Sequence, residues 1–504
     1  MNIRQVLEKT ASEFPQKTAI VCGSQRVAYQ ELNEASSRVA NALIGLGIKK
    51  GDNVAILIAY SPEWLTNYFG VVKAGGKVVI LNSMLKAPDY DSLLRDSDSK
   101  ILLTEKSFSQ MLSSVLPTLP LLKHIIEIDG DLYQKMMADS SATSPFVDME
   151  DDDETVIIYI SGVLGKQKGV VHTHASLMAA TTIVAPGLEQ KSEDICVGMI
   201  PFFYLLGLAV VALISIMKGS TMVLLPRFTT RNLLETVEQE KATTLVGVPA
   251  MFNALAMLDD ETIRKYDLST LRLALTAGAK AASYLMESLE EKFGLTLCEI
   301  YGTTEAVATT LGDIHNRKLG TAGKPIEEVK IIGADGKEVP QGQIGELVCK
   351  SPQIMKGYYK APELTSQVLK DDWFHTGDLV RMDEDGYLEY IEEKSFIIVT
   401  SAGVKIPPTE VEDVLLKHPS VAEAAYVGVE DERKGQIPTA FIALKERQSA
   451  TAKEIRSLCR RSLADYKVPR RIEFVESIPK TGGGKIDRAR LKRMELTQGG
   501  AKNE

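Results

Sequence analysis

The stretch from residue 155 to residue 169 reads Thr-Val-Ile-Ile-Tyr-Ile-Ser-Gly-Val-Leu-Gly-Lys-Gln-Lys-Gly. Its first six residues are β-branched or aromatic, which predicts a buried strand over Thr155–Ile160. The rest, Ser161–Gly169, predicts a turn whose three glycines let backbone N–H groups approach a phosphate and whose two lysines supply positive charge. The Gly-Lys-Ser/Thr ending of a Walker loop is absent, so this stretch alone also allows an ordinary flexible turn.

Strand-like and helix-like segments alternate ahead of this stretch. Apolar spacing predicts helices at Leu32–Leu43 and Pro62–Ala74, and strands at Val54–Ile58 and Val78–Leu81. The second helix has a proline at its first position and a glycine after its last, as helix ends prefer. This alternation predicts an α/β fold in which helices cover a sheet.

The composition excludes several classes of protein. At 504 residues the chain predicts about two to four domains with enough burial for folded interiors. The formal net charge of −9, from 58 basic and 67 acidic side chains, argues against a protein built mainly to bind nucleic acid or an anionic membrane, and it still allows a local anion pocket.

The five cysteines lie far apart, which predicts neither a disulfide framework nor a zinc site and fits a reducing compartment. The N-terminus is polar and lacks the apolar core of a signal peptide. The chain is therefore predicted to be cytoplasmic.

One uncharged segment, Val197–Met217, is long enough to cross a bilayer. It contains Pro201 and Gly207 and lies among alternating strand and helix patterns. These features predict a buried loop followed by a core helix, and no integral membrane segment.

A change of sequence texture near residue 395 predicts a separate C-terminal domain. The pattern predicts a helix, two strands, a helix and a strand, at Pro408–His418, Val421–Val429, Phe441–Leu444, Ala452–Tyr466 and Arg471–Val475. The sequence therefore predicts a large domain over residues 1–394 and a small α+β domain over residues 395–504.

Three further segments carry side chains suited to a nucleotide. Tyr301–Glu305 joins an aromatic ring, hydroxyls and a carboxylate, which suit a base, phosphates and Mg²⁺, although a β-turn capped by threonine has the same composition. Trp373–Asp378 ends in an acid that can accept both hydroxyls of a ribose or can cap a turn. Pro479–Asp487 places three successive glycines before Lys485, which predicts either a mobile loop that carries a lysine to an anion or a solvated surface loop.

Taken in order, these segments resemble the adenylate-forming superfamily of acyl-CoA synthetases, nonribosomal-peptide adenylation domains and luciferases, and they are closest in character to the acyl-CoA synthetases. The resemblance covers nearly the whole chain and includes motifs at Gly247-Val-Pro-Ala, Ala277-Gly-Ala, Gly345-Glu-Leu, Lys356-Gly-Tyr-Tyr, Pro408-Thr-Glu-Val-Glu412 and Tyr466-Lys-Val-Pro469.

This resemblance implies a reaction in two steps. A small-molecule carboxylic acid attacks the α-phosphate of ATP to give an acyl-adenylate and diphosphate, and a thiol, usually that of coenzyme A, then displaces AMP. Because the first step joins two anions, a positioned cation and Mg²⁺ must offset their repulsion. The resemblance also implies that the small C-terminal domain rotates about a hinge between the two steps.

The resemblance further implies roles for individual residues. The catalytic residues are Thr304, which contacts phosphate, Glu305, which holds Mg²⁺, and Lys485, which bridges the carboxylate and the α-phosphate. Tyr301 stacks on the adenine and Asp378 binds the ribose. The full nucleotide-binding set is Ser161, Gly162, Gly165, Lys168, Gly278, Ala279, Tyr301, Gly302, Thr303, Asp378 and Lys394. The substrate-binding set is Tyr204, Gly247, Ala277 and Gly278.

Two departures from the family pattern concern catalysis. Val163 and Leu164 replace the two threonines of the phosphate loop, which removes two hydroxyl contacts worth about 1.5–3 kcal/mol each. Phe396 stands at the expected hinge position, where a polar residue is usual. These changes leave open a weakly active or non-catalytic homologue that binds nucleotide or an acyl ligand.

A third departure concerns the acid. Tyr204 stands near the place where amino-acid adenylation domains have an aspartate for the substrate ammonium, and its neighbours are apolar. A tyrosine does not supply that charge, so we predict an ATP-dependent acyl-CoA ligase for a fatty or aromatic acid. An acyl-adenylating enzyme that loads a separate carrier protein is the other alternative.

Overall fold

The computed structural model describes residues 1–161, 167–281, 283–393, 396–399, 405–406, 408–431, 435–463, 465–481 and 485–499. The helices are α1 Ile3–Glu13, α2 Tyr29–Gly45, α3 Pro62–Lys73, α4 Ala87–Asp96, α5 Lys106–Met111, α6 Asp131–Asp139, α7 His174–Val184, α8 Ile214–Lys218, α9 Thr230–Glu240, α10 Pro249–Ala256, α11 Asp260–Ile263, α12 Ser283–Phe293, α13 Pro362–Val368, α14 Pro408–Leu415, α15 Ala452–Ser462 and α16 Arg488–Gly499.

The strands are β1 Thr18–Cys22, β2 Gln25–Ala28, β3 Asn53–Leu57, β4 Lys77–Ile80, β5 Ile101–Thr104, β6 His124–Glu127, β7 Glu154–Ser161, β8 Gln167–Thr173, β9 Ile195–Gly198, β10 Thr221–Leu224, β11 Thr244–Gly247, β12 Leu273–Ala277, β13 Thr296–Tyr301, β14 Thr310–Leu311, β15 Lys324–Pro325, β16 Glu328–Ile332, β17 Ile344–Lys350, β18 Gly357–Tyr358, β19 Leu369–Lys370, β20 Trp373–Met382, β21 Leu388–Glu393, β22 Ile398–Val399, β23 Lys405–Ile406, β24 Val421–Asp431, β25 Gly435–Leu444 and β26 Arg471–Val475.

The described chain forms two compact units. The first comprises Met1–Glu328 and Cys349–Phe374, and the second comprises Val329–Val348 and His375–Glu504. The predicted domain boundary between residues 394 and 395 stays a prediction, because compact packing does not locate the hinge about which a domain turns.

Two sheets organise the first unit. One has the strand order β15-β14-β13-β12-β11-β9-β10-β1-β2, and the other has the order β18-β8-β7-β4-β3-β5-β6. Strands β13, β12, β11, β9, β10 and β1 are mutually parallel, as are β7, β4, β3, β5 and β6. The predicted α/β alternation is therefore correct, with two sheets in place of one.

A layer of helices fills the space between these sheets. In β3, Val54 and Ile56 belong to the central hydrophobic cluster, whereas Ala55 and Leu57 belong to a second cluster on the opposite face. Alternate residues of a strand face opposite sides, so each sheet is buried on both faces. Helices α1, α2 and α3 supply the middle layer, and α4 and α5 on one side and α9, α10 and α12 on the other supply the outer layers.

The predicted and observed helix ends agree best where the sequence carries a proline at the start of a helix and a glycine after its end. Helix α3 begins at Pro62 and is followed by Gly75, whose φ of +77° suits a glycine after a helix end. Helix α2 begins three residues before its predicted start. There the Glu31 carboxylate accepts a hydrogen bond from the Ala28 N–H at 2.8 Å, which stabilises an earlier first turn.

The uncharged segment Val197–Met217 lies inside the first unit, as predicted. It contains the end of β9, a loop, a π-helical segment over Leu206–Leu213 and most of α8, and most of its side chains are buried. No helix among the described residues has the length and apolar character needed to span a membrane.

The second unit contains the predicted C-terminal elements. Strands β24, β25 and β26 form one sheet, and β20 pairs with β21 in another. Strand β25 begins at Gly435, six residues before the predicted Phe441, because it pairs with β24 along its whole length. Helix α15 ends at Ser462, before the predicted Tyr466.

Candidate active site

Three of the predicted residues end neighbouring parallel strands. Gly247, Ala277 and Tyr301 are the last residues of β11, β12 and β13, which lie side by side. In open α/β sheets, ligands bind at the carboxyl edge of the strands. The fold therefore brings these three residues to the edge where a nucleotide site is expected.

The turn after β12 leaves open space beside its backbone. Gly278 has a φ of +86°, and among the described residues other than its two chain neighbours no atom lies within 4 Å of the place where its side chain would begin. Ala279 is exposed. Beyond it, the N–H of Ala281 donates to Oε2 of the buried Glu299 at 3.1 Å, and burial raises the pKa of Glu299 to about 8. This turn can admit a flat ring next to its main chain.

The loop after β13 is tightly folded. A Cβ on Gly302 would lie 2.2 Å from the carbonyl oxygen of Val307, so only glycine fits there. Thr303 N–H donates to the Ala306 carbonyl at 2.9 Å, and Ala306 N–H donates back to Thr303 Oγ1 at 3.1 Å. The threonine cap considered from the sequence is thus present, and it fixes the backbone that carries Thr304 and Glu305.

His172 supports this loop from β8. Its Nε2 lies 2.8 Å from the carbonyl oxygen of Thr304, and its Nδ1 lies 3.0 Å from Oγ of Ser176. A carbonyl only accepts hydrogen bonds, so Nε2 carries the proton and Nδ1 accepts from the serine hydroxyl. Burial lowers the pKa of His172 to about 4, which keeps the ring neutral at pH 7.

Tyr358 contacts both Glu305 and Lys168. Its hydroxyl donates to Oε1 of Glu305 at 2.7 Å. Lys168 Nζ lies 4.6 Å from the centre of the Tyr358 ring and donates to its hydroxyl at 3.4 Å. The fold therefore brings a predicted phosphate-loop residue and the predicted metal ligand to the same tyrosine.

The side chain of Glu305 fits a magnesium ligand. The residue is 8% exposed, and within the described part of the chain its Oε2 accepts no hydrogen bond. The described residues contain no cluster of three or more His, Cys, Asp or Glu that could hold a metal by itself. A lone carboxylate suits Mg²⁺, which keeps several waters and binds phosphates of the substrate.

Tyr204 packs against apolar side chains and hydrogen-bonds the uncharged side chain of Asn82. It is half-buried, its ring centre is 4.5 Å from that of Phe203, and it packs against two hydrophobic clusters. Burial raises the pKa of Tyr204 to about 12, so the phenol is neutral. Gly247, another member of the predicted substrate-binding set, is tightly packed, because a Cβ there would lie 2.6 Å from Cε of Met199.

Asp378 and Lys485 belong to the second unit. Asp378 lies within β20, not in a loop, and its N–H donates to Oγ1 of Thr376 at 3.0 Å. Lys485 is exposed, and its carbonyl accepts from the Thr481 N–H at 2.7 Å.

A buried cluster of charged side chains lies directly after the predicted loop of Lys485, Pro479–Asp487. Arg488 donates from Nη1 and Nη2 to the two carboxylate oxygens of Glu412, at 2.5 and 3.0 Å, and its Nη2 lies 3.6 Å from Glu392. Burial raises the pKa of Glu392 to about 7. The guanidinium carbon lies 5.5 Å from the ring centre of Phe396, so the aromatic residue at the predicted hinge position packs against a cation.

Several predicted residues fall outside the described part. Gly162, Gly165 and Lys394 lie there, as do Val163 and Leu164. Ser161 ends β7, and its backbone pairs with that of Gln167. Lys168 therefore lies on a strand, in a β7–β8 hairpin, and not on the turn predicted from the sequence.

Sequence reasoning assigned no role to His172 or Tyr358. For Tyr358 a signal was available, because it belongs to the Lys356-Gly-Tyr-Tyr motif. For His172 no local signal points to its partner, which lies 132 residues away.

Comparisons with known proteins identify the family of this chain. The family model described as AMP-binding enzyme matches residues 7–359, and the model described as AMP-binding enzyme C-terminal domain matches residues 410–485. Feruloyl-CoA synthase from Amycolatopsis sp is 33% identical over 490 residues, covering 96% of this chain and 97% of that protein.

Two more similar proteins are named for other acids. Long-chain-fatty-acid–CoA ligase from Bacillus subtilis (strain 168) is 31% identical over 528 residues, covering 97% of this chain and 94% of that protein. The crystal structure of the anthranilate CoA ligase AuaEII in complex with anthranoyl-AMP has a TM-score of 0.91 at 30% identity, covering 99% of this chain and 98% of that one. These matches confirm the predicted combination of a large N-terminal domain and a small C-terminal domain.

Proposed function

Because this chain belongs to the AMP-binding enzyme family and is an AMP-forming acyl-CoA synthetase that uses ATP, Mg²⁺ and coenzyme A, we propose that its acid substrate is a fatty or aromatic carboxylic acid. The observation that carries this proposal is the neutral, half-buried phenol of Tyr204, which packs against two apolar clusters and hydrogen-bonds the uncharged side chain of Asn82. An α-ammonium group placed beside it would lose its hydration without gaining a counter-charge, at a cost of several kcal/mol. The similarity to a feruloyl-CoA synthase, an anthranilate ligase and a fatty-acid ligase supports the same class of acid.

The residues at the carboxyl edge are proposed to bind the nucleotide. Ala277, Gly278 and Ala279 line the adenine, and Tyr301 stacks on it. The open space beside Gly278 supports this role. Asp378 binds the ribose hydroxyls, since a carboxylate accepts from both.

The charged residues are proposed to serve the attack on the α-phosphate. Lys168 and Lys485 lower the repulsion between the two reacting anions, and Thr304 orients a phosphate oxygen. Mg²⁺ held by Glu305 supplies further positive charge. Residues 395–504 are proposed to turn about the Phe396 region, so that Lys485 enters for adenylation and leaves for thioester formation.

A cytoplasmic location is also part of the proposal. All five cysteines carry free thiols, which is usual where thiols are kept reduced.

The test is AMP release with coenzyme A over short, medium and long fatty acids and substituted benzoic and cinnamic acids. Matched pairs, such as 3-phenylpropionate with phenylalanine, isolate the effect of the ammonium group. We expect the acid without the ammonium to be preferred by at least about a hundredfold, because an unpaired buried charge costs several kcal/mol. Preference for any α-amino acid over its deaminated analogue would contradict the proposal. Tyr204→Phe, which keeps a neutral ring, should keep the preference.

A further inference from the structure

We propose that Tyr358 is a positioning residue that holds the Glu305 carboxylate ready for Mg²⁺ and keeps the Lys168 ammonium from pairing with it. This inference rests on the proposed role of Glu305 as the metal ligand. Tyr358 has no place in the set of residues that the sequence assigned to catalysis or binding.

The backbone fixes the three side chains relative to one another. Tyr358 pairs with Val170 across the β18–β8 ladder, two residues from Lys168. Residues two apart on a strand face the same side, so Lys168 lies diagonally opposite Tyr358. The carbonyl of Glu305 accepts from the Met355 N–H at 2.8 Å, which ties the metal loop to the segment that leads into β18.

The contacts of Tyr358 place it between opposite charges. Its hydroxyl donates to Glu305 while its ring faces Lys168, and within the described residues Lys168 forms no ion pair. A lysine and a glutamate this close to one group would otherwise attract each other strongly in a partly buried site. A direct pair would neutralise the cation needed by phosphate and the carboxylate needed by the metal. The ring prevents this pairing, and the hydroxyl fixes one carboxylate oxygen and leaves the other available.

The neighbouring tyrosine offers a matched control. Tyr359 faces the other side of the strand, where its hydroxyl accepts from Nδ2 of Asn53 at 2.9 Å and donates to Oδ2 of Asp98 at 3.3 Å. Among the described residues, the Tyr359 side chain forms no hydrogen bond or cation–π contact with Glu305 or Lys168. Tyr358→Phe and Tyr359→Phe thus remove the same atom from adjacent residues with different partners.

The experiment measures ATP binding to the full chain by calorimetry, with Mg²⁺ and with EDTA in its place. Tyr358→Phe should weaken MgATP binding about tenfold, because it removes the charge-assisted hydrogen bond that orients the Glu305 carboxylate. It should change metal-free ATP binding by less than about twofold. Tyr358→Leu, which also removes the ring, should weaken MgATP binding further. Tyr359→Phe should match the unmodified chain within about twofold.

The half-reactions give a second readout. With an acid that the unmodified enzyme accepts, Tyr358→Phe should raise the Mg²⁺ concentration needed for half-maximal diphosphate release, and it should spare thioester formation from supplied acyl-adenylate. A purely structural role would reduce both half-reactions alike.

Three results would overturn the inference: equal losses of MgATP and metal-free ATP binding in Tyr358→Phe, the same metal-specific loss in Tyr359→Phe, or ATP binding by the unmodified chain that does not depend on Mg²⁺. The calorimetry needs no acid. A failure of the proposed acid class is therefore distinguishable from a failure of the role of Tyr358.

Discussion

The carbonyl oxygen of Thr304 accepts a hydrogen bond from Nε2 of His172 at 2.8 Å, and the same ring accepts from Ser176 on its other side. His172 is fully buried, and it lies on β8, the second strand of the β7–β8 hairpin that also carries Lys168. The loop that carries Thr304 and Glu305 is therefore held both through its backbone, by His172, and through a side chain, by Tyr358.

Replacing His172 should loosen this loop. In His172→Ala, the Thr304 carbonyl loses its buried donor, which should lower the free energy of unfolding by about 1–3 kcal/mol. Displacement of the loop should lower kcat/KM for ATP about tenfold. Urea unfolding and diphosphate-release kinetics test both effects. The side chain of the surface residue His315 pairs with Glu189, so His315→Ala should leave both quantities nearly unchanged. An unaltered kcat/KM in a folded His172→Ala protein would show that the loop keeps its position without the histidine.

Lys485→Ala should suppress acyl-adenylate formation by about a hundredfold or more, because a positioned cation acts on charge that develops in that step. Turnover of supplied acyl-adenylate with coenzyme A should be spared. Diphosphate exchange and thioester formation measure the two steps separately. Lys480→Ala is the control, since Lys480 precedes the same glycines and pairs with Glu423. Equal loss of both half-reactions in Lys485→Ala would argue against the assigned role.

Restoring hydroxyls to the phosphate loop should improve the use of ATP. Val163 and Leu164 lie outside the described residues, so this prediction rests on the sequence alone. The double change Val163→Thr, Leu164→Thr should raise kcat/KM for ATP about tenfold if one charged hydrogen bond is recovered. Stability should change by less than about 1 kcal/mol. A folded double variant with unchanged or lower kcat/KM would indicate that the loop holds phosphate by other groups.

Removing the Arg488 side chain should destabilise the second unit strongly. Arg488→Met leaves Glu412 and Glu392 buried without their cation, so unfolding free energy should fall by about 3–5 kcal/mol. Adding Glu412→Gln to this variant should recover part of the loss. Arg490→Met, two residues away on the exposed side of α16, should change stability by less than about 0.5 kcal/mol. Chemical denaturation followed by fluorescence gives all three values, and equal effects of Arg488→Met and Arg490→Met would contradict the prediction.

Lys73 should make stability depend on pH. Its ammonium is buried against Asn33 and Ser37, and burial lowers its pKa to about 7. An unfolded lysine titrates near about 10.4, so between these values the unfolded chain binds more protons than the folded one. Stability from this group therefore rises as pH increases from about 7 towards 10. Urea midpoints at pH 7, 8 and 9 should show this rise, and Lys73→Met should flatten it. Lys135→Met, an exposed control, should keep the slope; an unchanged slope in Lys73→Met would rule out the assignment.

Local sequence signals predicted the helices and strands, but they did not predict which residues distant in the sequence contact one another. The proline and glycine at its ends made α3 predictable. The early start of β25 did not show in the sequence, because Gly435–Pro438 is a poor strand former that is held by pairing with β24. For the site, motif residues such as Glu305 could be named from the sequence. Their supports, His172 and Tyr358, depend on strand order and register, which no local pattern specifies.

The strand order also determines how the chain can be divided. Strand β1 lies in the nine-stranded sheet beside β10, and every strand of the seven-stranded sheet except β18 precedes β9. No single cut between β1 and β18 leaves both sheets whole, and both sheets share the helix layer of α1, α2 and α3. The two sheets should therefore unfold as one cooperative unit. The amide protons of β3 and β10 should then lose their protection from hydrogen exchange in the same unfolding transition. If the chain is cut between β8 and β9, both fragments should be needed before either becomes resistant to protease.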